Sequence, residues 1–403
     1  MKVLLSAYAC EPNRGSEPEV GWQRALHMRK WADEVWVLTR ANNQQVIEAD
    51  PLSATPGLHF IYYDLPGWLL RLKKQQRWFL YIYCVLWQWG AYRLAAQFHT
   101  SEKFDRVYHV TFASMQFGSY MGRLGIPFIV GPVAGGERSP IRLRGGMRMR
   151  GKVSEMLRDL GILFQRYSPL TRPAFAAATR IYVTTPESLQ LVPPKWRTKT
   201  SINLAIAAQG NSIEHLHRQM PPTPRFLFAG RLLHWKGVHL AIRALAEARR
   251  TVPNATITLV GEGPAETWLR ALAKQCGIAE AVDFAGHFPR EQLLNCFVDF
   301  TALIFPSLHD SGGLVVLEAF ERGLPAICFD LGGPGIIVDR SCGIVVATGD
   351  ADDNQTVAGL AKAIVTLATM GPAQIQNLSS GAIARANELS WTALAAKVAN
   401  CEF

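Results

Sequence analysis

The feature that most constrains this chain is a rhythm. Short β-branched runs alternate with amphipathic helical stretches, and near Phe226 the rhythm starts again. "KVLLSAY", "EVWVLT", "FDRVYHVTF", "IPFIVGP" and "RIYVTT" read as strands, with "EVGWQRALHMRKW" helical between the first two. "RFLFAG", "TITLVG", "AVDFAG", "TALIFPS", "AICFD" and "GIVVA" follow, spaced by helices such as "HLAIRALAEARR" and "AETWLRALAKQCG". Near-continuous apolar runs suit strands buried on both faces, and a helix after each strand returns the chain for a parallel neighbour. The expected fold class is therefore α/β, with two parallel-sheet units. A chain of 403 residues also exceeds what a single core serves. The proline-rich stretches "TTPESLQLVPPKWRTKT" and "RQMPPTPR" put the boundary near 185–224.

Other classes fall away. The seven cysteines are scattered and never form C-x-x-C, which supports neither a disulfide framework nor a thiolate metal site and fits a reducing cytosol. No G-x-x-x-x-G-K-[ST], H-E-x-x-H or G-x-S-x-G occurs. The N-terminal apolar run is too short for a secretory signal and reads as a strand. Charge is uneven: residues 1–200 hold 27 Lys and Arg against 14 Asp and Glu, whereas the rest hold 15 against 18. The first half should face something anionic. Its positive charge concentrates at Arg71, Lys73, Lys74 and Arg77, before the aromatic run 78–92, and in "RSPIRLRGGMRMRGK" at 138–152. Basic residues beside aromatics suit an anionic membrane surface; a buried core helix at 78–92 and a flexible basic loop at 138–152 are the alternatives.

Candidate chemistry lies at strand ends. In "FAGRLLHWKG", Arg231 and Lys236 follow a strand directly, where α/β sheets bind ligands, and could grip a diphosphate. In "SLHDSGGLVVLEAF", the amides of Gly312 and Gly313 open a helix and favour phosphate. Asp310 and Glu318 would repel phosphate, so they are expected to accept hydrogen bonds from the transferred sugar and the ribose respectively. In the first half, Gly15 and Ser16 stand at a helix entrance that could close over the diphosphate, and His109 in "VYHVTF" either faces the cleft or is a satisfied core histidine. "HLH" at His215 and His217 reads as loop.

These residues resemble a known family. "FAGRLLHWKGVHLAIRA", "LVGEGP", "FAGHFPREQL" and "PSLHDSGGLVVLEAFERGLPAICFDLGGPG" are similar, in order and spacing, to the donor half of retaining glycosyltransferases of family 4, and "SAYACEPNRGSEPEVGW", "YHVTF" and "VGPVAGGE" to the N-terminal half of a bacterial branch. The resemblance implies a GT-B fold of two facing Rossmann-like domains with parallel sheets. These would be an acceptor-side domain at 1–200, a nucleotide-sugar-binding domain at 201–385 and a closing helix at 386–403 that returns to the first. It implies Arg231 and Lys236 on the diphosphate and Glu318 as second acid of an E-x7-E signature whose first acid is here Asp310. It adds His109 on the acceptor side, and Gly261, His287 and Leu314 with Gly15, Ser16, Gly312 and Gly313 on the donor. Glu19 departs from the family's expected glycine.

The expected activity is transfer of a hexose, with retention, from a UDP- or GDP-sugar to a hydroxyl of a glycan, lipid-linked and part of bacterial surface polysaccharide synthesis. No metal or other cofactor and no nucleic-acid partner is expected. The location would be cytoplasmic, peripheral on the inner face of the membrane. A nucleotide-sugar epimerase or hydrolase of the same fold, or a non-catalytic basic scaffold, are the alternatives.

Overall fold

The computed structural model of the chain describes residues 1–76, 79–112, 114–165, 168–210 and 221–402, and the side chains of all of these except 16, 74 and 399–402. Two compact units emerge. The first comprises Met1–Gly136, Gly161–Ile206 and Leu394–Phe403, and the second Glu137–Leu160 and Ala207–Ala393.

In the first unit, β1 (Lys2–Ala7), β2 (Glu34–Arg40), β3 (Leu58–Tyr63), β4 (Arg106–Thr111), β5 (Phe128–Val133), β6 (Arg180–Val183) and β7 (Thr200–Ile202) form one sheet in the order β3-β2-β1-β4-β5-β6-β7. Every pairing is parallel. Successive side chains of a strand point to opposite faces, and both faces here are apolar. Val3 and Leu5 join Trp22 and Ala25 of the helix Ser16–Met28 in one cluster. Leu4 joins Tyr83, Trp87 and Ala91 of the helix Phe79–Glu102 in another. That helix is the aromatic run 78–92 in its described part. Phe79, Tyr83, Trp87, Ala91 and Ala95 recur every fourth residue and are buried, each large ring contributing roughly 1.5–3 kcal/mol. Trp87 Nε1 donates to the Tyr63 carbonyl at 3.0 Å. Of the two readings of the run, the core helix is the one the packing supports, with Tyr81, Ile82, Leu86 and Trp89 left exposed. Trp78 and Arg77 lie outside the described residues, as do the Lys74 side chain, His215 and His217.

In the second unit, β8 (Arg225–Ala229), β9 (Thr256–Val260), β10 (Val282–Gly286), β11 (Ala302–Phe305), β12 (Ala326–Phe329) and β13 (Gly343–Val346) form an all-parallel sheet in the order β10-β9-β8-β11-β12-β13. The order reverses between β8 and β11, which is the Rossmann arrangement, and the first sheet reverses likewise between β1 and β4. β11 and β12 are buried throughout, as their unbroken apolar sequences require. The helix Val238–Ala248 is buried nearly all round and packs on the helix Asp353–Thr369. Arg243 pairs with Asp353 and donates to Asn354 Oδ1 at 2.7 Å across that contact.

The units differ from the boundaries read off the sequence most in one segment. Residues 137–160, placed by the sequence in the first domain, belong to the second unit. Leu143 and Met147 are buried there, and Gly146 lies against His239, Arg243 and Asp353. The basic stretch 138–152 is consequently no free loop. Arg144 grips Asp159 with two bonds, at 2.7 and 3.1 Å, and donates to the Ser139 carbonyl at 2.6 Å. Arg142 donates to the Asp350 carbonyl at 2.6 Å. At the other end, the helix Pro372–Glu388 lies within the second unit and only the last residues, from Leu394, group with the first. Among the described residues no single helix is long and apolar enough to cross a membrane.

Candidate active site

The site grows out of the point where the second sheet reverses its strand order, because loops leaving β8 and β11 in opposite directions open a crevice at the carboxyl edge. After β8 the chain makes a short turn, His234–Lys236, which ends at Gly237 in the left-handed region, φ +70°. A Cβ at Gly237 would stand 1.9 Å from the Pro306 carbonyl oxygen, so only glycine lets this turn press against the end of β11. That approach brings Lys236 to Asp310: Nζ lies 2.5 Å from Oδ2, with the two side chains 13% and 17% exposed. The Lys236 ammonium also lies 4.6 Å from the Trp235 ring centre and 4.8 Å from that of Phe305. Aromatic faces and a carboxylate therefore hold the charge in place.

Asp310 does more than pair with lysine. Its Oδ1 accepts the backbone N–H groups of Gly312 at 3.0 Å and Gly313 at 3.2 Å. This corrects the expectation that those two amides are open to phosphate: a fixed carboxylate two and three residues back satisfies them first. The helix that follows, Leu314–Glu321, keeps the amides of Leu314 and Val315 in its first turn without a protein partner among the described residues. The second glycine pair finds its reason here too. The Gly333 N–H donates to the Asp310 carbonyl at 2.7 Å, and a Cβ at Gly332, φ +59°, would stand 2.2 Å from that oxygen. The loop after β12 thus braces the backbone of Asp310.

Arg231, directly after β8, is exposed and donates to no group among the described residues. Glu318 is buried and accepts from Arg290 Nε at 3.0 Å. Burial pushes its carboxyl up from the usual range, and Arg290 opposes this. The sequence reading passed over Arg290, whose signal was only a cation opening the helix after "GHFP". Nearby, Glu321 accepts the Gly210 N–H at 2.9 Å. Gly261 follows β9 and donates to the Gly286 carbonyl at 2.7 Å, while His287 is exposed beside it.

The remaining residues singled out from the sequence fall in the first unit. Gly15 caps the helix Ser16–Met28; the Ser16 side chain lies outside the described residues. His109 needs correction as an acceptor-side catalyst. It sits within β4, fully buried, with Nδ1 3.0 Å from Ser6 Oγ and Nε2 3.4 Å from Gln88 Nε2. Burial lowers its pKa to about 4, so the ring is neutral with both nitrogens engaged, a satisfied core histidine. Among the described residues no group of His, Cys, Asp or Glu is arranged to hold a metal ion.

Comparison with known proteins bears on this unit in particular. Residues 215–364 match the family model of glycosyl transferases group 1. The match takes in β8 to β13 and with them Arg231, Lys236, Asp310 and Glu318. The chain is similar to the glycogen synthase of Mycobacterium tuberculosis, 35% identical over 175 residues, which are 43% of this chain and 41% of that one. It spans less than half the length of the curated relatives it matches. Among solved structures it resembles the lipopolysaccharide outer core galactosyltransferase WaaB in its apo form, with a TM-score of 0.62 at 13% identity, covering 99% of this chain and 98% of that one. It likewise resembles Anabaena Alr3699/HepE in complex with UDP and glucose, with a TM-score of 0.58 at 15% identity over 100% and 99% of the two chains. The fold is thus the GT-B type, built from two Rossmann-like parallel-sheet units.

Proposed function

We propose that this chain is a glycosyltransferase that moves a hexose from a nucleoside diphosphate sugar to a hydroxyl of a glycan acceptor, with retention at the anomeric carbon. The observation that carries the reading is the Lys236–Asp310 pair at the strand-order reversal, inside the residues that match the group 1 family. A half-buried lysine, an exposed arginine and two helix-start amides without a partner among the described residues are a set of donors suited to a diphosphate. In this reading Glu318, whose buried carboxylate accepts from Arg290 Nε, also accepts from ribose hydroxyls. Asp310 orients the sugar. The complex of the Anabaena neighbour with UDP and glucose supports UDP as one donor nucleotide, and GDP is the other.

No side chain is assigned as nucleophile. The acceptor hydroxyl oxygen forms its bond to the anomeric carbon on the face from which the diphosphate departs, and its proton passes to a leaving phosphate oxygen. Lys236, Arg231 and the Leu314 and Val315 amides stabilise the charge that develops there, without a metal. The test is a thermal-shift panel of UDP, GDP, ADP and dTDP, since a ligand that binds only the folded state raises the melting temperature. Release of the matching diphosphate from its sugar, dependent on an acceptor glycan, completes it. No shift with any of the four refutes the donor site.

The acceptor is proposed to be lipid-linked, met by a cytoplasmic enzyme peripheral on the membrane's inner face, in synthesis of surface polysaccharide. Support comes from the helix Met149–Gln165, which leaves Met149, Val153, Met156, Leu157, Leu160 and Phe164 exposed along one stripe, with Arg148 and Arg150 exposed at its start. An apolar stripe flanked by cations fits an anionic lipid surface.

A further inference from the structure

Among the carboxylates that the second unit buries and the chemistry above leaves without a task, one lies against the site. Glu155, on the helix Met149–Gln165, has a side chain only 2% exposed. Its Oε1 lies 2.9 Å from His234 Nε2 and 3.2 Å from His309 Nε2. His234 opens the turn that Lys236 closes, and His309 immediately precedes Asp310. One buried oxygen therefore joins the two loops whose meeting creates the Lys236–Asp310 pair. Other contacts tie the same parts together. The His309 ring stacks on Trp235 at 4.4 Å and 19°, the Leu308 N–H donates to the Trp235 carbonyl at 2.9 Å, and Gly151 lies so close to His234 that a Cβ there would stand 3.0 Å from the ring.

We propose that Glu155 is a positioning residue for the phosphate-facing pair, fixing the loops after β8 and β11 through His234 and His309. This rests on the reading of Lys236 and Asp310 as part of the donor site. An ionised carboxylate only accepts hydrogen bonds, so both rings must carry a proton on Nε2 to satisfy it. A buried carboxylate without partners would be costly, which makes both histidines necessary to Glu155 as much as it is to them. Burial works against its charge, but the hydrogen bonds from His234 and His309 outweigh this and hold the carboxyl well below the usual range. Rigid support of this kind matters because binding and transfer fall steeply when the groups that grip a substrate drift by about an ångström.

The test compares the full-length wild type with Glu155→Gln, which removes the charge, keeps the size and retains one acceptor. Two readouts are needed: calorimetric titration with UDP, GDP, ADP and dTDP, and 15N NMR of the histidine rings, with His234 and His309 assigned by their own substitutions. The expected result is Nε2–H tautomers for both rings in the wild type and altered ring shifts in Glu155→Gln. Affinity for the preferred diphosphate should fall at least tenfold although Lys236 and Asp310 are intact. Wild-type affinity in Glu155→Gln, or a wild-type ring lacking the Nε2 proton, overturns the proposal. If the variant does not fold, His234→Phe, which keeps a ring and removes the donor, is read in the same way. A wild type that binds none of the four diphosphates brings down the donor reading and the positioning role together, while the tautomers still decide whether Glu155 joins the loops.

Discussion

Asp310→Asn should separate two things that most site mutations confound. The Lys236 ammonium is engaged by Asp310 Oδ2 at 2.5 Å, so a diphosphate must compete with a carboxylate for it. Asparagine at 310 keeps an oxygen for the Gly312 and Gly313 amides but removes the charge facing Lys236. The lost charge-assisted bond is worth about 1.5–3 kcal/mol. With both side chains less than a fifth exposed, screening trims this only modestly, and ~2 kcal/mol is a fair central figure. For a unit of roughly 200 residues that lowers the melting temperature by about 4–8 °C. Binding should move the other way. The wild type gives up part of the pair when phosphate takes Lys236, and the variant does not. Affinity for UDP or GDP should therefore rise, by up to about thirtyfold if the whole ~2 kcal/mol is returned. Turnover should fall, because the carboxylate that orients the sugar is gone. Calorimetry and differential scanning fluorimetry on the same samples read both effects, with Lys236→Ala as the reference whose affinity drops at least tenfold. If Asp310→Asn weakens diphosphate binding as Lys236→Ala does, the carboxylate and the phosphate are not rivals for Lys236 and the reasoning fails.

Glu318→Gln should weaken nucleoside binding while leaving melting at neutral pH unchanged or higher. Burial raises the Glu318 carboxyl, so its charged form opposes folding above that raised value; a lower melting temperature at pH 7 would contradict this. His109 titrates near 4 when folded and near 6.5 when unfolded, so the stability it contributes is whole above ~6.5 and is lost as pH falls towards ~4, about 3 kcal/mol in all. In His109→Gln the loss of stability between pH 6.5 and 4 should be shallower, and an identical acid slope would exclude His109 as a source. Co-sedimentation with vesicles should rise with anionic lipid, fall with salt as the screening length shortens below roughly 8 Å, and drop in Leu157→Glu/Leu160→Glu. Equal binding to neutral vesicles, or no loss in that double variant, would leave a soluble acceptor as the better reading.

The two sheets were legible because strands buried on both faces write themselves as unbroken apolar runs, as "ALIF" and "AICF" do. That Lys236 and Asp310 both lie at the ligand-binding edge was legible for a related reason, since each follows a strand end and strand ends share one edge, but their direct pairing was not. What the Asp310 carboxylate does there was not, since Asp-x-Gly-Gly permits both an open amide nest and one closed by its own aspartate. His109 went astray because a polar residue late in an apolar strand looks like a crevice residue, whereas Ser6 and Gln88, remote in sequence, satisfy it inside. Glu155 could not have been found at all. Its partners lie 79 and 154 residues away, and nothing in "VSEMLRDL" distinguishes it from a solvated helix charge.

The membership of residues 137–160 in the second unit also bears on how the chain is made. The polypeptide passes between units after residues 136, 160, 206 and 393. No single cut separates them, so a fragment beginning near residue 207 would carry His234 and His309 without their carboxylate and would expose Leu143 and Met147's docking surface. During synthesis, at about 5–20 residues per second, the ribosome delivers this segment well before the strands that receive it. Leu143, Met147 and Glu155 must then wait, unburied, until the rest of the second unit emerges. Ribosome-bound chains halted before residue 300 should therefore be the ones that chaperones hold and proteases nick around 137–160.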